Sequence, residues 1–267
     1  MTTSFMIQHV LNKYFCLAII LCLGIPSLAK AQDPVNADSI ASKAADYFEE
    51  AKEEEALESY LKVLENDPVH FEALWHTALL YARIGFRMDS EEEMENYYMR
   101  SLDFAEKTLE LYPDSGYSHF VYGVAQGRIS DISGSGTRIE KSYIVKEHAD
   151  KAVELLPDYG PAWHLLGIWN SKIANISSAR RFAAGIFSRG IPEGASNKKA
   201  EEYIKKALEL KPDQAIRFKL DLARHYERSG KRQKAIDMLK EVIEESPGNE
   251  IDEWNLQRAR ELLEELS

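Results

Sequence analysis

Cysteine is scarce in this 267-residue chain, which has only Cys16 and Cys22. Both lie within the first 31 residues, so a chain cleaved after Ala31 would contain no cysteine. Disulfide bonds, cysteine–zinc sites and cysteine nucleophiles are excluded for such a chain. It has to be stabilised by packing alone.

Basic residues are outnumbered as well. The chain has 33 lysines and arginines against 44 aspartates and glutamates, a net charge of −11. The first 31 residues contain two lysines and no acid, which leaves 31 basic against 44 acidic residues, or −13, in residues 32–267. This balance argues against nucleic acid and anionic membrane surfaces as partners.

The most apolar stretch is short and lies at the N terminus. The run "YFCLAIILCLGI" follows Lys13 and precedes the small residues Ala29–Ala31. A basic flank, a short apolar core and a small-x-small end are typical of a secretory signal. A membrane-spanning helix needs about 20 residues, more than this run supplies. We predict a signal peptide over residues 1–31, export to a periplasmic or extracellular space, and no stable membrane span after cleavage. An uncleaved anchor is the alternative.

Proline and glycine are few, at nine and fourteen, and five of the prolines end similar amphipathic phrases. These prolines are Pro68, Pro113, Pro157, Pro212 and Pro247. Each phrase has apolar residues at helical spacing before a proline that stops the helix. Another amphipathic stretch precedes each phrase, and a last one, "DEWNLQRARELLEEL", stands at the C terminus. The sequence therefore predicts five helix pairs followed by one more helix.

The helix pairs resemble the tetratricopeptide repeat, a helix–turn–helix unit of about 34 residues. Small and large residues recur at its pattern positions, where small ones let paired helices approach closely. In the fifth pair these residues are Leu222, Ala223, Tyr226, Gly230, Ala235, Leu239 and Pro247. The resemblance predicts an all-α fold: an α-solenoid of about five tetratricopeptide-like helix pairs over residues 32–267, with a C-terminal capping helix.

Pairs two, three and four are longer than the pattern and contain inserts. The longest insert spans about Ser171 to Asn197, where "SSARRFAAGIFSR" predicts an extra short helix and Ser196 an N-cap for the helix that follows. Inserts in a solenoid usually form loops on one face, often the binding face. We also expect Phe187 and Ile191 to pack the fourth insert onto the solenoid.

The fourth pair is similar to a narrower family. The run "WHLLGIWNSKIANISSARRFAAGIFSRGIPEGASNKKAEEYIKKALELKP" resembles the regulator of microtubule dynamics family, whose members share a Leu-Gly-x-Trp helix, an alanine-rich insert ending in Ile-Phe, and a proline loop. The preceding "GRISDISGSGTRIEKSYIVKEHADKAVELLPDY" is also similar to that family. The resemblance implies the fold. It also implies, for eukaryotic members, work with microtubules on the cytosolic side.

No stretch of the sequence matches a catalytic motif. "GIFSRG" lacks the spacing of a nucleophile elbow, and "ISGSGTRIEKS" lacks the Gly-Lys-Ser/Thr end of a phosphate loop. We interpret both as flexible connections and the acidic run Glu49 to Glu58 as solvated. The histidines show no metal-ligand spacing, although His119, His164 and His225 recur near one region of the first helices. We predict no enzyme activity, no cofactor and no metal site.

A basic row gives the functional hypothesis. One repeat position, which faces the concave groove, holds Arg83, Arg128, Lys172 and Arg228, with Arg224 one turn earlier. A second groove-facing position holds Trp75, Phe120, His164 and Leu220. Guanidinium groups bind carboxylates well, so such a groove suits a protein or peptide partner of acidic character. A basic residue is also common at this position in repeats of the class. We predict a non-enzymatic interaction scaffold, with a microtubule-associated protein or a small-ligand carrier as alternatives.

Overall fold

The computed structural model describes residues 37–187 and 190–267, and the side chains of Ile186 and Phe187 lie outside the description. The predicted signal peptide also lies outside the described residues. Within them every regular element is a helix, which confirms the all-α prediction. No helix in this part of the chain combines the length and apolar character needed to cross a membrane.

The helices follow one another with short connections. In chain order they are α1 (Ala37–Glu49), α2 (Glu53–Asn66), α3 (Phe71–Gly85), α4 (Glu91–Leu111), α5 (Gly116–Ile132), α6 (Ser135–Leu155), α7 (Gly160–Ala174), α8 (Ser178–Phe187), α9 (Asn197–Leu210), α10 (Ala215–Arg228), α11 (Arg232–Ile243) and α12 (Glu250–Leu266). A short 3-10 turn, Pro212–Gln214, precedes α10.

Neighbouring helices pack as hairpins that stack side by side. The pairs are α1 with α2, α3 with α4, α5 with α6, α7 with α9, and α10 with α11. The first helices α3, α5, α7 and α10 also contact one another in sequence, so they form an inner layer. α12 packs on α11 and α10. This stacking is that of an α-solenoid with a capping helix, as predicted.

Small residues sit where paired helices approach most closely. Ala200 and Ala207 on α9 are fully buried, and so is Ile204 between them. Facing them on α7 is Gly167, where an added Cβ would come within 2.7 Å of Ile204 Cγ1. The close approach of α7 and α9 therefore requires glycine at this position.

The insert of the second pair is helical rather than a loop, so the loop prediction is wrong there. α4 has 21 residues, compared with 14 in α2, and it begins directly after Ser90. The Ser90 hydroxyl accepts a hydrogen bond from the Glu93 amide at 3.4 Å. The acidic first turn that follows this cap favours the helix N terminus electrostatically. The extra residues thus lengthen the second helix.

The insert of the third pair is helical as well, and the interpretation of "ISGSGTRIEKS" as a flexible connection is wrong. α5 runs to Ile132 and α6 starts at Ser135. The Arg138 guanidinium donates to the backbone carbonyls of Ser130 (3.1 Å), Asp131 (3.4 Å) and Ser133 (2.9 Å). Because these carbonyls end α5, Arg138 satisfies acceptors that a helix end otherwise leaves open.

The fourth insert does form an extra helix, α8, as predicted. The Arg181 guanidinium holds α8 to the end of α7 by donating to the carbonyls of Ile173 and Ile176. Ile191 packs against the Trp169 cluster, as expected. The side chain of Phe187 lies outside the described residues. Ser196 is the N-cap of α9, accepting from the Lys199 amide at 3.1 Å, and confirms the predicted helix start.

Candidate functional site: a cationic cavity inside the solenoid

The concave side of the solenoid encloses a cavity of about 610 Å³. Residues of the inner helices, of α1 and of α12 line it. α12 lies across from the end of α3, where the rings of Phe86 and Trp254 meet with centroids 5.8 Å apart. The groove is therefore bounded by the capping helix as well as by the inner layer.

The structure brings the eight predicted groove residues together in the wall of this one cavity. They are Trp75, Arg83, Phe120, Arg128, His164, Lys172, Arg224 and Arg228. Their repeat positions predicted this shared location. That they bind a partner stays a prediction.

The prediction that Leu220 faces the groove is wrong. It is fully buried and packs against Leu239 and Leu256. α10 turns this apolar side toward α11 and α12, because the capping helix covers it. The side of α10 that lines the cavity holds Arg217 and Asp221 in addition to the predicted arginines.

Arg83 is neutralised by a buried acid that the sequence analysis placed in solvent. Glu53 is fully buried, and its carboxylate lies 2.5 Å from Arg83 Nε and 2.6 Å from Arg87 Nη1. The interpretation of the run Glu49 to Glu58 as solvated is therefore wrong at Glu53. A usable indication was present, since Glu53 lies three residues before the buried Ala56 and on the same helical face.

Two more cations of the basic row face carboxylates. Lys172 Nζ lies 2.5 Å from Asp131 Oδ1, and both side chains are partly exposed. Arg224 Nη1 lies 2.9 Å from Asp221 Oδ1. The row therefore forms ion pairs at three positions, Arg83, Lys172 and Arg224.

Arg228, the last member of the basic row, is hydrogen-bonded to a neutral group. Its Nη1 donates to the Ser171 hydroxyl of α7 at 2.7 Å. The same hydroxyl lies 3.0 Å from His225 Nδ1. Arg228 thus has a polar partner on the neighbouring inner helix, which holds its guanidinium in place at the cavity wall.

His164 and Asp221 form a partly buried hydrogen-bonded pair at 2.9 Å. Burial lowers the pKa of His164 in spite of the neighbouring carboxylate. Burial opposes ionisation of Asp221, but the hydrogen bond from His164 and the charges of Arg224 and Arg217 hold its pKa well below its usual range. A neutral imidazole thus donates its Nε2 hydrogen to an ionised carboxylate.

Arg128 and Arg217 lack the carboxylate partners of the pairs above. Within the described residues neither guanidinium forms an ion pair. Arg128 stacks 4.1 Å from the Phe86 ring centroid, and its buried Nε has no hydrogen-bond partner in the described part of the chain. Arg217 donates to the Gln214 side chain at 3.4 Å. Burial lowers the pKa of Arg217 to about 10; the charge of Arg83 acts in the same direction, and that of Asp221 opposes it.

The cavity as a whole is cationic although the chain is acidic. Eight basic residues line it: Arg83, Arg87, Arg128, Lys172, Lys211, Arg217, Arg224 and Arg228. Four acidic residues line it: Glu49, Glu72, Asp131 and Asp221. With a net charge of −11 on the full chain, this sign reversal concentrates the positive potential inside.

The opposite end of the cavity is aromatic. Trp75 stacks on Tyr117 with ring centroids 4.7 Å apart, and Phe120 meets Tyr159 edge to face at 5.2 Å. All four rings line the cavity. The arrangement can hold an apolar group at one end and an anion at the other.

The remaining predicted features lie elsewhere. Of the three recurring histidines only His164 lines the cavity, whereas His119 pairs with His148 (Nδ1–Nδ1 2.9 Å) and His225 contacts the Ser171 hydroxyl. Across residues 37–187 and 190–267, no group of three or more His, Cys, Asp or Glu side chains is arranged to hold a metal ion.

Comparisons with known proteins agree with this architecture. The family described as regulator of microtubule dynamics protein 1-3 matches residues 40–267. A thermophilic TPR protein of Thermus thermophilus is 16% identical with a TM-score of 0.57, and the similarity covers 84% of this chain and 98% of that one. This likeness shows the fold.

Two further solved structures are similar at lower scores. MamA from Desulfovibrio magneticus RS-1 is 17% identical, with a TM-score of 0.42, 79% of this chain and 94% of that chain covered. YrrB, described as a TPR protein with an unusual peptide-binding site, is 17% identical, with a TM-score of 0.41 and coverage of 85% and 92%. A search of curated proteins found no match.

Proposed function

Since the chain belongs to the regulator of microtubule dynamics protein 1-3 family, as its resemblance predicted, we propose that it acts as a non-enzymatic protein-interaction scaffold. The cavity receives a short segment of a partner protein. A carboxylate of that segment binds Arg128, and its apolar side chains contact the aromatic end.

The observation that supports this proposal is Arg128, an arginine of the cavity wall that forms no ion pair with a described residue. Removing a charge from water is costly unless an opposite charge or hydrogen bonds replace the lost hydration. The Nε of Arg128 is buried without a hydrogen-bond partner among the described residues, and its guanidinium forms no ion pair with any of them. An incoming carboxylate supplies the missing charge and accepts two parallel hydrogen bonds from a guanidinium.

The test is a binding measurement on residues 32–267. Fluorescence anisotropy would compare a labelled peptide of alternating leucine and glutamate with the same peptide carrying glutamine for glutamate. We expect the glutamate peptide alone to bind, and Arg128→Glu to abolish the binding. Lys172→Glu should weaken it less, because Lys172 already has Asp131 as a partner. Equal binding of both peptides would refute the proposal.

Microtubule association is the second candidate, favoured by the family to which the chain belongs. Co-sedimentation of residues 32–267 with assembled microtubules tests it directly. Retention of the wild type in the pellet, and loss with Arg128→Glu, would make the cavity the contact. Absence of the wild type from the pellet would remove this candidate.

We also propose that the chain is exported, because residues 13–31 have the basic, apolar and small-residue segments of a secretory signal. N-terminal sequencing of the protein from its native cells tests this. A mature N terminus at Gln32 is expected, and an intact Met1 start would contradict export by cleavage.

A further inference from the structure

Resting on the proposed peptide-binding role of the cavity, we infer which segments it selects. It takes an extended peptide with a large apolar side chain at one position and a carboxylate four residues away. The selecting elements are the ring pair Phe120–Tyr159 and the guanidinium of Arg128.

Three inner helices repeat one series of side chains along their length. Each presents a ring to the cavity first, an aliphatic side chain one turn later, and a cation after a further turn. The nine residues, in helix order, are Trp75, Leu79 and Arg83 on α3, Phe120, Val124 and Arg128 on α5, and His164, Ile168 and Lys172 on α7. In each helix the ring and the cation are eight residues apart, which is about 12 Å along the axis.

Of these three series, only that of α5 ends in a cation that forms no ion pair with an acidic residue of the described chain. Arg83 is bound by Glu53 and Lys172 by Asp131. Arg128 forms no ion pair with any described residue, and its buried Nε has no hydrogen-bond partner among them. The spacing on α5 therefore determines where a ligand has to place its carboxylate relative to its apolar group.

An extended backbone meets this spacing with four residues. A strand rises about 3.3 Å per residue and alternates its side chains, so positions i and i+4 lie about 13 Å apart on one side. Positions i and i+2 are about 7 Å apart, and position i+3 points to the opposite side. An extended peptide therefore places its apolar side chain at Phe120 and its carboxylate at Arg128 within a short segment.

A helical segment fits the cavity less well. It needs about eight residues to cover 12 Å, and its diameter with side chains is about 10–12 Å. The contact between Phe86 and Trp254 bounds the groove opposite the inner layer. The order of the two groups along the peptide is left to the experiment, since an extended chain can run in either direction.

The experiment is a spacing series on residues 32–267. Labelled peptides would carry one leucine and one glutamate separated by two, three, four or six positions in a serine–threonine background, in both orders, each with a glutamine control. We expect the four-residue spacing to bind at least about tenfold tighter than two or three, since a charged hydrogen bond is lost otherwise.

Two variants test whether Arg128 makes the contact with the peptide carboxylate. Arg128→Gln should remove the preference for glutamate over glutamine. Arg232→Gln is the matched control, because Arg232 is exposed on α11 and outside the cavity wall. It should leave the preference intact. Thermal unfolding of both variants shows whether the fold is retained.

The outcomes separate this inference from the proposed function. If glutamate peptides bind equally at every spacing and better than glutamine peptides, the spacing rule is overturned and the peptide-binding role stands. If no glutamate peptide binds better than its glutamine control, both are overturned. A short-chain carboxylate that binds as tightly as the four-residue peptide also overturns the rule.

Discussion

Phe86, the residue after α3, and Trp254 on α12 meet edge to face at 5.8 Å and 66° between ring planes, although they lie far apart in sequence. A cation flanks each ring. The Arg128 guanidinium lies 4.1 Å from the Phe86 centroid, and the Arg258 guanidinium lies 5.1 Å from that of Trp254. This cluster joins the second helix pair to the capping helix across the cavity.

Removing the Trp254 ring should therefore affect ligand exchange more than stability. Trp254 is only half-buried, so Trp254→Ala should cost less than the roughly 3–5 kcal/mol typical of removing a fully buried ring. Stopped-flow release of a bound acidic peptide should become faster. Trp163→Ala is the matched control, since Trp163 bonds to the Pro157 carbonyl outside the cavity wall. Unchanged release in Trp254→Ala would show that the contact between Phe86 and Trp254 does not limit ligand exchange.

Glu53 should be the most costly acid to neutralise. Glu53→Gln leaves Arg83 and Arg87 without their buried countercharge, and breaking a buried pair costs about 3–5 kcal/mol. Urea unfolding measures the loss. Its neighbour provides the control, because the Glu54 side chain is 68% exposed and Glu54→Gln should cost at most about 1 kcal/mol. Equal losses in the two variants would show that Glu53 is not buried as described.

Gly167 and Gly185 should respond oppositely to alanine. At Gly167 the new Cβ would come within 2.7 Å of Ile204 Cγ1 and 3.1 Å of the Ile204 backbone nitrogen, so Gly167→Ala should destabilise by about 1–3 kcal/mol. At Gly185 an added Cβ would have no atom of the described residues within 4 Å, and alanine at this exposed position should stabilise α8 by up to about 1 kcal/mol. Thermal unfolding distinguishes the two, and a neutral Gly167→Ala would contradict the close approach of α7 and α9.

His76 should make the protein less stable in mild acid. Its ring stacks on Trp75 at 3.5 Å and Tyr60 at 4.6 Å between centroids, and burial lowers its pKa to about 3. The unfolded histidine, with a pKa near 6.5, binds a proton that the folded one excludes. Stability contributed by the neutral ring is therefore present above about pH 6.5 and is lost as the pH falls toward 3.

The measurement compares urea unfolding at pH 7 and pH 5. His76 should account for about 2 kcal/mol of the wild-type loss between these values, at about 1.4 kcal/mol per pH unit below 6.5. His76→Phe keeps an aromatic ring and removes the titration, so its loss should be smaller by that amount. An identical pH dependence in the variant would contradict the prediction.

The sequence was sufficient for features set by local spacing. Helix pairs, the Ser196 cap, the extra helix α8 and the groove position of Arg128 all follow from periodicity within one or two helices. The partners of Arg83 and Lys172 do not, because Glu53 and Asp131 reach them from other helices. The position of a residue within its repeat predicts which face of the helix it lies on. It does not predict which residue it contacts on a neighbouring helix.

The wrong predictions have the same origin. The stretch "ISGSGTRIEKS" has the composition of a loop, yet Arg138 satisfies the end of α5, and only two residues separate α5 from α6. Leu220 occupies the phase of Trp75 and Phe120, but the capping helix gives it an apolar surface to bury against. In both places a contact from the next helix decided what local composition did not.

The contact of Phe86 with Trp254 also bears on how such a protein can change in length. An open repeat array exchanges contacts only between neighbours, so units can be added or removed at little cost elsewhere. Here one more helix pair before α12 would move Trp254 away from Phe86. One pair fewer would also prevent Trp254 from meeting Phe86. The contact between Phe86 and Trp254 therefore requires this number of helix pairs, and the size of the cavity depends on that number.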